Sequence, residues 1–67
     1  MKNIEILKYL IKLSGLTQKQ YEIRHGIGQK KMYHWLSGYR NIQLKTLQEL
    51  AKKDGYEITI TFKITKL

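Results

Sequence analysis

Two hydrophobic periods divide the sequence. As far as Gly55, apolar residues recur every three or four positions; beyond it they alternate with polar ones. The first period predicts helices, and glycines punctuate it. Over residues 4 to 14, Leu7, Leu10 and Leu13, with Ile6 and Ile11, form a stripe, and Lys8 and Lys12 lie opposite. That stripe is wide enough to touch more than one neighbouring element. Asn3 suits the N-cap of this helix and Gly15 its stop. Thr17-Gln-Lys-Gln20 has the form of a capping box, in which the threonine oxygen takes a backbone N–H and Gln20 reaches back. It opens a second helix that Gly26 ends. A helix of about two turns cannot stand alone, so it must pack on its neighbours. A third helix begins near Gly28 or Gln29 and ends at Gly38. A fourth runs from about Leu44 to Lys53 with the stripe Leu44, Leu47, Leu50 and Ala51, stopped by Gly55.

After Gly55 the period becomes two. Tyr56, Ile58, Ile60, Phe62 and Ile64 face one way; Glu57, Thr59, Thr61, Lys63 and Thr65 face the other. Such alternation, rich in β-branched residues, predicts a half-buried strand. A lone strand leaves both edges unpaired and open to aggregation. No second strand is legible, so the simplest partner is the same strand of another copy, antiparallel across a two-fold axis. Ile58, Ile60 and Phe62 would then form the dimer interface.

Composition adds a reason for that partner. A chain of 67 residues is one small domain, which buries only about 60% of the surface its unfolded form exposes. It has no cysteine, hence no disulfide and no cysteine-based zinc site. His25 and His34 stand apart with no other soft ligand near, so no metal and no cofactor is expected. Lys and Arg number 13 against 5 acidic residues, a net charge of +8. This points to a polyanion, either nucleic acid or an anionic surface. Glu5, Lys8 and Lys12 interrupt the first helix, so it reads neither as a signal peptide nor as a membrane span. A cytoplasmic protein without membrane contact is the simplest expectation.

The stretch His25-Gly-Ile-Gly-Gln-Lys-Lys resembles a phosphate-cradling glycine loop, but its context excludes one. A dinucleotide fingerprint needs a third glycine, a preceding strand and a βαβ unit; a P-loop needs Gly-Lys followed by Ser or Thr. Neither is present. The stretch reads better as a turn leading into a helix. Met32, Trp35 and Leu36 share one face of that helix, and Gln29, Lys30, Tyr33, His34 and Ser37 share the other. Long polar side chains on a helix suit base edges in the major groove, where glutamine pairs with adenine and lysine with guanine. Trp35 belongs to the core rather than to a stacking platform.

Residues 18 to 37, QKQYEIRHGIGQKKMYHWLS, resemble the helix-turn-helix of the Cro/cI-type (XRE-like) phage repressor family. Gly26 supplies the turn, and Tyr21, Ile27, Met32 and Trp35 fall on the apolar positions. The flanks T-Q-K-Q and W-L-S-G-Y-R-N, and the fourth helix L-K-T-L-Q-E-L-A-K-K-D-G, resemble the family as well. The resemblance covers residues 4 to 55. It implies a mostly α, four-helix repressor-like domain over residues 1–55, to which residues 56–67 add a C-terminal dimerisation strand. HipB-like antitoxins and Cro are similar in using strands at the dimer interface.

By position, the resemblance implies base contacts from Gln29, Lys30 and His34, with Tyr33 beside them. It implies phosphate contacts from Gln18, Ser37, Tyr39, Arg40 and Asn41. Lys45 joins these on a physical argument: a cation in the first turn of a helix opposes the dipole, and a phosphate nearby relieves the conflict. Two positions depart from the family. Glu22 stands where a small residue is usual, and is expected to turn outward or to pair with Lys31 or Arg24. His25 stands where an aliphatic is usual, and is expected to be a partly buried, satisfied core residue.

These readings lead to a non-enzymatic, sequence-specific double-stranded DNA-binding homodimer on a palindromic operator. A repressor of a phage, plasmid or toxin–antitoxin operon fits that description. The alternative is a protein-interaction module, an antitoxin or phage inhibitor whose main target is a toxin or another protein. No paired carboxylates, and no nucleophile with its base, argue for an enzyme. The aromatic pairs of common RNA modules are not visible in the sequence.

Overall fold

A computed structural model describes residues 2–59, 65 and 66. Among them the chain forms four α-helices: α1 (Asn3–Ser14), α2 (Gln18–His25), α3 (Gln29–Ser37) and α4 (Leu44–Lys53). Helix α1 packs against all three others, and α2 packs against α3. The wide stripe makes this possible: Leu7 and Leu10 are buried, while Ile6 and Ile11 close the flanks of the core. Leu13, at the end of the stripe, remains exposed. Tyr21 from α2, Met32 and Trp35 from α3, and Leu47, Leu50 and Ala51 from α4 complete the core, with Ile42 entering from the loop before α4.

The capping box of α2 forms as its sequence requires. Gln20 N donates to Thr17 Oγ1 at 3.2 Å and Thr17 N donates to Gln20 Oε1 at 3.0 Å. The start of α1 differs from expectation. Lys2 occupies the N-cap without a side-chain bond, and Asn3 is the first helical residue. Its amide is engaged elsewhere: Asn3 Nδ2 donates to the Ile42 carbonyl at 2.8 Å, bridging residues 39 apart in sequence. A long-range bond thus replaces the local cap and ties α1 to the α3–α4 loop.

Gly26 ends α2 with φ of 65°, in the left-handed region. There Gly26 N donates to the Ile23 carbonyl and Ile27 N to the Glu22 carbonyl, the paired bonds of a Schellman turn. A Cβ at Gly26 would meet nothing within 4 Å, so backbone conformation rather than space calls for glycine here. The turn sends the chain directly into α3.

Asp54 caps α4 and closes the fold from the far end. Its buried carboxylate accepts from Tyr21 Oη at 3.1 Å, lies 3.0 Å from His25 Nε2 and 3.6 Å from Arg24 Nε. A carboxylate only accepts, so His25 Nε2 carries the proton. The other ring nitrogen, Nδ1, is buried with no partner among the described residues, which an acceptor lone pair tolerates better than an N–H does. His25 is therefore a core residue, its side chain 1% exposed, with its ring 4.3 Å from that of Tyr21.

Glu22 corrects the sequence reading. It does not turn outward, being buried at 7% exposure. Among the described residues it forms no ion pair with Lys31 or Arg24; Arg24 turns to Asp54 instead. Gln18 Nε2, one helical turn earlier, donates to Glu22 Oε2 at 3.3 Å, so a local amide stands in for the expected cation.

Burial raises the pKa of Tyr21 well above the ordinary value, and its bond to Asp54 raises it further. A phenol whose folded pKa is raised stays protonated in the native state while the unfolded chain ionises. Its contribution is therefore complete below about pH 10 and is lost as pH rises toward the folded value. Unfolding free energy should fall by about 1.4 kcal/mol per pH unit above that point on account of this one group. In Tyr21→Phe the decline should be shallower by that amount. Urea titrations at successive alkaline pH values measure it, and equal slopes in the two proteins would exclude Tyr21 as the cause.

The strand expected over 56–65 is not formed over its described residues 56–59. Tyr56 N donates to the Ala51 carbonyl at 2.8 Å, which folds the chain back over the end of α4. Ile58 is half-buried against the helical core. Ile60 and Phe62, the other residues expected at a dimer interface, lie outside the described residues, as does half of the strand expected over 56–65.

Candidate nucleic-acid interface

Helix α3 sorts its side chains as its period requires. Met32 is fully buried, Trp35 nearly so and Leu36 half-buried, while Gln29, Lys30, Tyr33 and Ser37 are exposed and His34 is half-buried. The core grips the apolar side, so the polar side is held at a fixed orientation. Lys31, at the boundary, lays its ammonium 5.2 Å from the centroid of the Trp35 ring, a cation–π contact that shields the indole from water.

Three surface hollows border this face. The first lies between α3 and the start of α4. Lys30, His34, Arg40 and Asn41 share it with Gly28 and Gln43. The second joins Lys30, Tyr33, His34, Ser37, Tyr39 and Arg40 at the C-terminal end of α3. The third joins Gln18 and Gln29 across the α2–α3 turn, beside Glu22. Seven of the ten residues expected to touch DNA therefore line two hollows that share Lys30, His34 and Arg40, while Gln18 and Gln29 line a separate one. Lys45 is exposed in the first turn of α4 but lines none of these hollows.

The first hollow has a feature the sequence did not disclose. Gly28 and Gln43 are the N-caps of α3 and α4, and neither helix has a side-chain cap or an acidic residue in its first turn. Both helix starts thus border one concavity that also holds Lys30 and Arg40. Uncapped N–H groups and the positive dipole end make a helix start receptive to anions. Two starts with two cations beside them make this the surface best suited to a phosphate group. Sequence reasoning missed Lys31, Gln43 and Thr46, which line the same hollow. The available signal was the lack of Ser, Thr, Asp or Asn at position 43, just before a strongly periodic helix.

The loop after α3 is fastened rather than free. Arg40 N donates to the His34 carbonyl at 3.0 Å, and Ser37 Oγ donates to the same carbonyl at 3.3 Å. These bonds bring Tyr39 back against the helix, with its ring centroid 4.9 Å from that of His34.

No family model, curated protein or solved structure gives a significant match to the chain. No helix among the described residues is long and apolar enough to cross a membrane.

Proposed function

We propose that this protein is a sequence-specific double-stranded DNA-binding protein that acts as a homodimer, in the manner of a repressor of a phage, plasmid or toxin–antitoxin operon. The observation that carries this reading is the pair of uncapped helix starts converging on a hollow with Lys30 and Arg40, beside the exposed polar face of α3. Phosphates dock at the helix starts and at Arg40 and fix the register. Gln29, Lys30, Tyr33 and His34 then face the base edges. Gln18 contacts the backbone on one side of α3, and Ser37, Tyr39, Arg40, Asn41 and Lys45 on the other. The net charge of +8 supplies sequence-independent attraction to the duplex. In the homodimer residues 56–65, which form no strand over 56–59 in the single chain, pair between two copies and set two reading helices about 34 Å apart, one turn of DNA. Confinement in the cytoplasm, where such an operator lies, belongs to the same proposal.

Selection of bound sequences from random duplex DNA is the direct test. A palindromic winner supports both readout and symmetry. On that sequence, Gln29→Ala or Lys30→Ala should cost about 1–3 kcal/mol, with little loss on random DNA, while Arg40→Ala and Lys45→Ala should weaken both alike. If Gln29 and Lys30 are silent and only the flanking cations matter, the protein binds DNA without reading it through α3.

A further inference from the structure

Three aromatic rings that the sequence leaves scattered meet at the C-terminal end of α3. Tyr33 and Tyr39 are 64% and 74% exposed, unusually bare for side chains of their size. His34 has its ring centroid 6.2 Å from that of Tyr33 and 4.9 Å from that of Tyr39, tilted relative to each. These rings line one hollow with Lys30 and Arg40. The Arg40 N–H bond to the His34 carbonyl fixes the loop, so Tyr39 is held beside the helix before any ligand arrives.

We infer that this cleft binds an unpaired nucleobase, stacked on Tyr33 or Tyr39, with its flanking phosphates on Lys30 and Arg40. The inference rests on the nucleic-acid reading of the same surface but goes beyond duplex readout. Flat, exposed rings between cations are the chemistry of single-strand recognition, where each base offers a π-face and each linkage a charge. A paired base presents only its edge to a groove and cannot lie on a ring. The rings therefore have a use for a base out of its stack that they lack for one within it. The partner is a single-stranded segment, either deoxyribose or ribose, because stacking and phosphate contact do not distinguish the two.

The test compares a short thymidine oligonucleotide with an abasic oligonucleotide of equal length, by fluorescence anisotropy with the intact protein. The thymidine strand should bind more tightly, since the two carry the same phosphates. At least one of Tyr33→Leu and Tyr39→Leu, the one that removes the stacking ring, should reduce binding of the thymidine strand by about 5- to 100-fold. Binding of the abasic strand should change far less, so the gap between the two strands narrows. Tyr33→Phe and Tyr39→Phe keep the ring and should keep the gap. A ribothymidine oligonucleotide with its own abasic control, run in parallel, shows which sugar is preferred, and a gap on either backbone supports the inference. Equal binding of thymidine and abasic strands by the unaltered protein overturns it, as does a gap that survives both leucine substitutions. Duplex binding is titrated separately, so failure of the duplex proposal is recognised by itself. Thermal unfolding checks that these exposed positions leave the fold intact.

Discussion

Asp54→Ala should lower the unfolding free energy by roughly 3 kcal/mol. The substitution strips the acceptor from two buried donors at once, Tyr21 Oη and His25 Nε2. Each buried donor left without a partner costs about 1–3 kcal/mol. Arg24 adds little, because its side chain is 57% exposed and water screens the pair. A domain of this length has only roughly 3–10 kcal/mol in total, so the variant should be partly unfolded near physiological temperature. Asp54→Asn keeps an acceptor oxygen and should lose less. In a Tyr21→Phe background the penalty of Asp54→Ala should shrink, because one orphaned donor is already gone. Urea unfolding measures all three. A loss below about 1 kcal/mol for Asp54→Ala would mean that the carboxylate does not hold these groups together in solution.

The second large effect is in affinity. Binding to duplex DNA should weaken by roughly 10³- to 10⁵-fold between 50 and 200 mM salt, with a slope of log K against log salt on the order of −5 to −9. That range corresponds to a few phosphates neutralised by each half of a dimer. On the proposed reading, Arg40, the exposed Lys45 and the two helix starts would meet them. Arg40→Ala should flatten the slope by about one unit per half-site, whereas Gln29→Ala should leave it unchanged. A slope near zero would mean that the basic surface does not meet a polyanion.

The helices were legible because each carries local signals that agree with one another. The stripe of α4 and the Thr17–Gln20 box needed no tertiary help to be read, and the two faces of α3 follow from its period alone. What the sequence concealed depends on partners far along the chain. Asn3 has the chemistry of an N-cap, but its amide serves Ile42 instead. Glu22 invites a cation by charge, yet a glutamine one turn earlier and a place in the packing between helices decide its position. The partner of His25 could not be named, because Asp54 looks like an ordinary surface residue beside Gly55. The gathering of Tyr33, His34 and Tyr39 arises from a backbone bond that no side-chain pattern announces. The alternation after Gly55 is the converse case. Its period is plain, but a strand is defined by what it pairs with, and the described residues 56–59 have no such partner.

The contacts that close this fold join residues far apart in the sequence. Asn3 waits for Ile42, and Tyr21 and His25 wait for Asp54. During synthesis, α1, α2 and α3 can pack on one another but leave the ribosome with the part of their apolar faces that α4 covers still bare. Leu47, Leu50 and Ala51 must follow before Leu7 and Tyr21 have a common floor. A nascent chain halted anywhere before α4 presents a sticky, half-built bundle to chaperones and proteases, and one carried a few residues past Asp54 can snap shut at once. At about 5–20 residues per second, the interval between those two states lasts only a second or two.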